Sequence, residues 1–361
     1  MNAKQSWLSR FHKPLIIAGP CSAESEKQML EIAGRLDQDY VQVFRAGIWK
    51  PRTKPNSFEG VGAIGLKWLK KVKEEFGFKT ITEVATANHV KLALENDVDW
   101  LWIGARSTAN PFTVQEIAEA LHGTDKIVLV KNPVNPDLDL WIGAIERLEA
   151  QNIKNLGAIH RGFSTYKKTK YRNNPQWQIA LDFMDKMPGI PMICDPSHIC
   201  GNREGIYDVA QQAFNFEYDG LMIETHSHPD EAWSDARQQI TPERLLEILQ
   251  KIELRKSDDE DAIYHSRLSL LRSEIDETDQ NILENMAQRM AVSVQIGELK
   301  KEHNVAVYQP ERWKHIRENA VKQGEKLGLS EEFIDKLLKA IHQESIQRQN
   351  RIMNKENSFK P

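Results

Sequence analysis

PMICDPSH, residues 191–198, is the stretch whose reading decides the fold. Met192, Ile193 and Cys194 make a short apolar run that stops at Asp195, Pro196, Ser197 and His198. A buried parallel strand that delivers a carboxylate and an imidazole at its carboxyl end suits the catalytic face of a β/α barrel. The same pattern also describes a loop whose Asp and His only hydrogen-bond locally. The choice depends on whether other strand ends aim similar groups at one point.

Seven more apolar segments precede or follow it, at 15–18, 41–44, 80–84, 100–103, 127–130, 156–159 and 221–223. Helical periodicity occupies 25–36, 62–76, 87–94, 113–121, 138–150 and 174–187 between them. Repeats of roughly 20–40 residues fit a strand, a crossover helix and their loops. Residues 1–250 are therefore expected to form an α/β fold, a closed (β/α)8 TIM barrel. A doubly wound open sheet would carry a glycine-rich fingerprint after its first strand, and GPCSAE is not one.

The strand ends are rich in ionisable groups. Arg45 ends the second, with Lys50, Pro51, Arg52 and Thr53 just beyond, and Glu83 lies in the third. Arg106, Lys131, His160 and Arg161 follow on the fourth to sixth. The seventh gives Asp195 and His198; the eighth gives Glu224, His226 and His228, with Asp235 in the next loop. Any single Lys or Arg among these reads equally well as a structural ion pair. The set repels itself unless carboxylates or an anion balance it, and a ligand carrying phosphate and carboxylate matches guanidinium forks. Cys21, His198, Glu224 and Asp235 are a mixed donor set, compatible with manganese, iron, cobalt or zinc and unlike a closed cysteine-rich zinc site. Cys21 also reads as a small buried hydrophobe, and spacing does not separate His198 from His226 and His228.

Composition narrows the class. The 361 residues leave room for two domains, and 48 basic against 52 acidic residues give a net charge of −4. That balance offers no global field for nucleic acid, and no apolar run reaches membrane-spanning length. Three cysteines, at 21, 194 and 200, do not form a secreted disulfide framework, so a cytoplasmic setting is expected.

Charge replaces periodicity across 251–264, the expected linker. An all-α helical domain is expected over 265–361, with helices at 268–303, 311–326 and 331–352. Leu271, Ile275, Ile282, Met286, Met290 and Ile296 form an apolar stripe on the first, which is longer than a small bundle needs. An intertwined homodimer or higher oligomer is the expectation, and a plain dimerisation or regulatory bundle its simplest form. Arg289 and Lys300 fall within about 20° of one another around the helix, whereas Arg272 faces about 100° away from Arg289. Cations on the packing side call for a ligand or an ion pair.

The motifs GPCSAES, KPRTKPNSFEG, GARSTAN, VLVKNP, HRG, DPSH and GLMIETH with a downstream SD resemble those of 3-deoxy-D-arabino-heptulosonate 7-phosphate (DAHP) synthases over about residues 12–250. The resemblance implies a metal-dependent condensation of phosphoenolpyruvate with erythrose 4-phosphate, manganese being the first choice of ion. It implies metal ligands at Cys21, His198, Glu224 and Asp235, and phosphoenolpyruvate contacts at Arg45, Arg106, Lys131 and Arg161. Erythrose 4-phosphate would be held by Lys50, Pro51, Arg52 and Thr53, with Asp195 at a sugar hydroxyl or behind the metal. Lys131 is the candidate for moving a proton to the new alkoxide.

LRSEIDETDQNILENMAQRM followed by Lys300 resembles the all-helical chorismate mutases over about 265–355. Substrate carboxylates would then meet Arg289, Arg312 and a partner chain's Arg272, and the breaking ether bond would meet Lys300 and Gln349. Gln309 stands where an acidic residue is usual near the substrate hydroxyl, and Trp313 where glutamate often follows the arginine. The expected whole is a bifunctional shikimate-pathway enzyme. The alternative is a synthase whose helical domain mainly senses chorismate or prephenate for feedback inhibition.

Overall fold

The computed structural model describes residues 7–11, 13–50, 58–166, 169–255 and 261–354. The chain divides into two compact units, Met1–Ser257 and Asp258–Pro361.

In the first unit, β1 (Leu15–Gly19), β2 (Val43–Arg45), β3 (Lys79–Val84) and β4 (Trp100–Ile103) alternate with helices α1 (Glu26–Arg35), α2 (Ile64–Phe76) and α3 (Ala87–Glu95). The short α4 (Ala105–Thr108) and α5 (Pro111–Leu121) lead to β5 (Ile127–Lys131), and α6 (Leu138–Ala150) leads to β6 (Asn155–His160). Then come α7 (Trp177–Lys186), β7 (Met192–Cys194), α8 (Pro196–Cys200), α9 (Ile206–Asn215), β8 (Gly220–Glu224) and α10 (Pro242–Lys251). Every neighbouring pair of strands is parallel, and β8 pairs with β1, so the sheet closes in sequence order.

Strand alternation sorts the side chains into two cores. Ile16, Phe44, Leu101, Val128, Met192 and Ile223 pack toward the helices. Ile17, Val43, Ile81, Leu129, Ile193 and Met222 fill the lumen with Trp100 and Trp102. Trp7 seals the amino-terminal mouth: it is fully buried, meets Trp100 edge-on at 5.3 Å, and its indole N–H donates to Leu156 O at 3.0 Å.

At the opposite mouth the same lumen-facing rows become charged. Two residues beyond Val43, Ile81, Leu129, Ile159, Ile193 and Met222 stand Arg45, Glu83, Lys131, Arg161, Asp195 and Glu224. Capping side chains turn the chain from strands and loops into the following helices. Ser25, Thr86, Asn110, Asp137, Asp195 and Thr241 each accept a backbone N–H of the first helical turn. His160 belongs to the other row. Its Nε2–H donates to Pro175 O at 2.7 Å and its Nδ1 accepts from Tyr218 Oη at 3.0 Å, so this strand-end imidazole braces the outer layer instead of joining the charged rim.

Among the described residues the second unit has three helices, α11 (Ala262–Glu302), α12 (Pro310–Lys326) and α13 (Glu331–Asn354). The first begins at Ala262, within the span expected to be linker, because Asp261 accepts the Ile263 N–H and caps it. Its 41 residues extend about 60 Å at 1.5 Å each, whereas the 24 of α13 cover about 36 Å. Burial follows that mismatch. Met290, Ser293 and Gly297 are buried on α11, while Leu270, Leu271, Ile275, Ile282 and Leu283 are 49–69% exposed. Among the described residues, no helix is long and apolar enough to cross a membrane.

Candidate active sites

The rim of the barrel is organised by Asp195. As the residue before the one-turn helix α8, it accepts the backbone N–H of His198 at 3.1 Å, with Pro196 at the position that needs no amide hydrogen. The same oxygen accepts from His198 Nδ1 at 3.0 Å, and the other oxygen accepts from Lys131 Nζ at 2.7 Å. Burial alone would raise the Asp195 pKa, but His198 and Lys131 hold it well below the usual carboxylate range. An ionised Asp195 requires the proton on Nδ1 of His198, and burial lowers the pKa of that imidazole. The Nε2 lone pair is then free to bind a cation. It lies 3.8 Å from Glu224 Oε1.

Cys21 Sγ and one carboxylate oxygen from each of Glu224 and Asp235 lie within 4.8 Å of one another, at the ends of β1 and β8 and in the loop after β8. Cys21 Sγ is 3.4 Å from Asp235 Oδ2 and accepts from Lys50 Nζ at 3.0 Å. Burial, and then the Glu224 charge, push the thiol pKa up to about 12. Burial would also raise Glu224, yet His198, Arg45 and Lys50 keep it lowered. Glu224 Oε1 is buried without a hydrogen bond, although Arg45 Nη2 stands 3.2 Å away. Asp235 has φ +48°, a left-handed conformation uncommon outside glycine, and Arg172 fixes its other oxygen at 2.9 Å. Convergent sulfur and carboxylate donors with an unsatisfied oxygen fit a divalent transition metal. His198 stands beside this trio.

His226 and His228 separate on structure. Nε2 of the buried His226 lies 3.5 Å from Glu24, and the exposed His228 lies 3.5 Å from Glu31. Arg45, Lys50, Arg106, Lys131, Arg161 and Arg172 share the rim with Glu83, Asp195, Glu224 and Asp235. Even when all four carboxylates are ionised, the cations are in excess. Burial brings the Arg161 pKa down to about 10, Asp195 opposes this, and Arg172 and Arg106 add to it. Arg45 Nε and Nη1 are buried without partners. Arg106 is the exposed residue of α4, whose Ser107 and Thr108 are buried, and Gly104 before it leaves the space that the Glu83 carboxylate fills. Pro51, Arg52 and Thr53 lie outside the described residues.

Sequence reading passed over Arg172, Gln238 and Gln239. Gln238 donates to Glu224 Oε2 at 2.6 Å, and Gln239 Oε1 accepts the Cys21 N–H at 2.9 Å. Their signal was weak, since loop amides carry no periodicity.

A second cavity, of about 330 Å³, lies within the helical unit. Arg289, Lys300, Gln309, Arg312 and Gln349 all line it, with Trp313, and among the described residues no Asp or Glu does. Arg289 Nη1 donates to Ser345 Oγ at 2.6 Å and Lys300 Nζ to Val307 O at 2.6 Å, so neither cation is neutralised by these bonds. Burial lowers both pKa values. Gln349 Nε2 donates to Ser293 Oγ at 3.1 Å, leaving Oε1 buried without a partner. Rotating the amide lets Ser293 donate to Oε1 and releases the NH2 group. Gly297 lets α13 approach here, where a Cβ would stand 3.1 Å from Gln349 Cγ. Trp313 stacks on His342 at 4.0 Å. Ser293, His342 and Ser345 were not anticipated, although Ser345 shares a helix face with Gln349 four residues on. Arg272 is exposed on the uncovered half of α11 and does not line its own chain's cavity.

Comparison with known proteins gives two matches within the chain. Residues 9–258 match the DAHP synthetase I family and residues 271–350 match chorismate mutase type II. A phospho-2-dehydro-3-deoxyheptonate aldolase of Thermotoga maritima is 30% identical over 237 residues, covering 66% of this chain and 68% of that protein. A 2-dehydro-3-deoxyphosphooctonate aldolase of Desulfatibacillum aliphaticivorans is 29% identical, covering 67% and 92%. The crystal structure of a Thermotoga maritima DAHP synthase superposes with a TM-score of 0.62 at 26% identity, covering 69% of this chain and 72% of that one.

Proposed function

Because the chain belongs to the DAHP synthetase I family and carries a chorismate mutase type II region after the barrel, we propose that it is a bifunctional enzyme of the shikimate pathway. The barrel condenses phosphoenolpyruvate with erythrose 4-phosphate to DAHP and phosphate, and the helical unit rearranges chorismate to prephenate. The observation that carries the first activity is the convergence of Cys21, Glu224 and Asp235 at a rim where cations outnumber carboxylates.

The cations set the geometry. Arg45, Arg106, Lys131 and Arg161 bind the phosphate and carboxylate of phosphoenolpyruvate, and Lys50 with residues 51–53 holds the phosphate of the aldehyde. C3 of phosphoenolpyruvate attacks the aldehyde carbon, and Lys131 Nζ, oriented by Asp195, delivers the proton to the aldehyde oxygen. Water adds at C2, and the C–O bond to phosphate breaks. Cys21, His198, Glu224 and Asp235 are the ligands of a divalent ion, manganese first, with iron, cobalt and zinc also suited to the set. That ion supplies Lewis-acid polarisation of the aldehyde carbonyl. Cys21, Cys194 and Cys200 are unbridged thiols, which suits a reducing cytoplasm.

The rearrangement needs neither metal nor acid–base chemistry. Arg289 and Arg312 hold the dicarboxylate folded, while Lys300 and Gln349 meet the charge that grows on the ether oxygen. Gln309 is the neutral hydrogen-bonding group at the substrate hydroxyl. Chelation is therefore expected to stop DAHP formation and leave chorismate consumption unchanged, with added manganese restoring the first. Loss of both activities, or of neither, would overturn this division.

The apolar side chains exposed on α11 are covered by a second copy, which brings its Arg272 to the cavity. Sedimentation is expected to give a dimer or larger species, and Leu271→Lys to shift it toward monomer with loss of mutase turnover. A fully active monomer would refute the pairing.

A further inference from the structure

Trp102 is the uppermost aromatic of the lumen core, on β4, and is 1% exposed. Two buried cations sit over its ring: Arg45 Cζ is 5.0 Å from the ring centroid and Lys131 Nζ is 5.5 Å. Each has one carboxylate, Glu224 at 3.2 Å and Asp195 at 2.7 Å. Arg45 Nε and Nη1 have no hydrogen-bond partner, and Trp102 Nε1 has no acceptor.

We propose that Trp102 is a positioning residue for the anionic three-carbon substrate, its π face holding Arg45 and Lys131 apart with their remaining donors free. This rests on the phosphoenolpyruvate reading given above. Two like charges in a buried site need compensation, and more carboxylates would consume the donors meant for the substrate. An aromatic face attracts both cations through its quadrupole without accepting a conventional hydrogen bond. An aliphatic floor provides no such attraction, so the Arg45 guanidinium closes fully onto Glu224. Its donors are then lost to the substrate, and Glu224 is drawn from the other metal ligands.

Trp102→Met removes the π face and keeps most of the volume; Trp102→Phe restores a π face. The Met variant is expected to bind phosphoenolpyruvate roughly tenfold to a hundredfold more weakly in calorimetric titration, a loss of about 1.4–2.7 kcal/mol. Its KM for phosphoenolpyruvate rises by a similar factor, with a smaller change in kcat, and the Phe variant recovers most of both. Circular dichroism and a thermal unfolding transition matching the parent establish that the barrel of each variant is folded. If Met disrupts folding, Trp102→Leu takes its place in the same comparison. Parental affinity in the folded Met or Leu variant overturns the proposal, as does a folded Phe variant as weak as Met. If the parent chain itself fails to bind phosphoenolpyruvate, the functional reading falls instead.

Discussion

Cys21→Ala is expected to abolish DAHP formation while chorismate turnover by the same chain stays at the parental rate. The backbone around Cys21 is held independently of its thiol: the N–H donates to Gln239, and the carbonyl accepts from Lys50 Nζ at 2.7 Å. The substitution therefore removes one donor atom and leaves its neighbours in place. Glu224 and Asp235 remain, but they are the hard members of the set, and the sulfur that favours a transition metal is gone. Changes behind metal ligands typically cost 10–100-fold in affinity, so loss of a ligand should weaken binding by at least about 100-fold. Free Cys21 is held as a thiol by burial, and a bound cation would be expected to release that proton. Metal content after dialysis, together with the thiolate-to-cobalt absorption band of the cobalt-substituted chain, reads this without assaying the reaction. A Cys21→Ala chain that retains parental metal content would show the thiol to be a buried hydrophobe.

Lys300→Ala should lower chorismate turnover by roughly 10²–10³-fold, the usual cost of removing one preorganised donor from a developing oxyanion. The barrel reaction should be unaffected. Lys300 is preorganised because Val307 O accepts from its ammonium within the cavity, which Arg289 and Arg312 also line. Burial lowers its pKa below the ordinary lysine value. The protonated form stabilises the transition state, so turnover should be complete at neutral pH and fall as pH rises through that lowered pKa. Lys300→Gln keeps a donor without a titrating charge, so it should recover part of the rate and flatten the alkaline limb. An Ala variant within threefold of the parent, or an unchanged alkaline limb in the Gln variant, would remove Lys300 from the reaction.

These two sites differ in how much of them could be read beforehand. In the barrel, strand alternation carries the lumen row from Ile193 to Asp195 and from Met222 to Glu224, so the chemistry follows directly from the apolar pattern. The same alternation shows why His160 is not part of the rim, a point that reading only the last residue of each segment misses. In the helical unit, Arg289 and Lys300 were legible from their angular spacing on one helix. His342 and Ser345 were not, because their place opposite Arg289 depends on how α13 packs against α11.

The sequence by itself determined the eight repeats and the change to helical grammar, which it places at 265 against the observed start at Ala262, and it nominated candidate residues in both units. Local periodicity and capping encode those features, since each involves residues only a few positions apart. The tertiary structure alone sets His198, the imidazole that the motif resemblance implies and that spacing does not single out, beside Glu224. It also gave Asp195 two partners, Lys131 and His198, and set both Arg45 and Lys131 above Trp102. Closing a barrel brings residues more than a hundred positions apart to one rim, and no local pattern carries that distance.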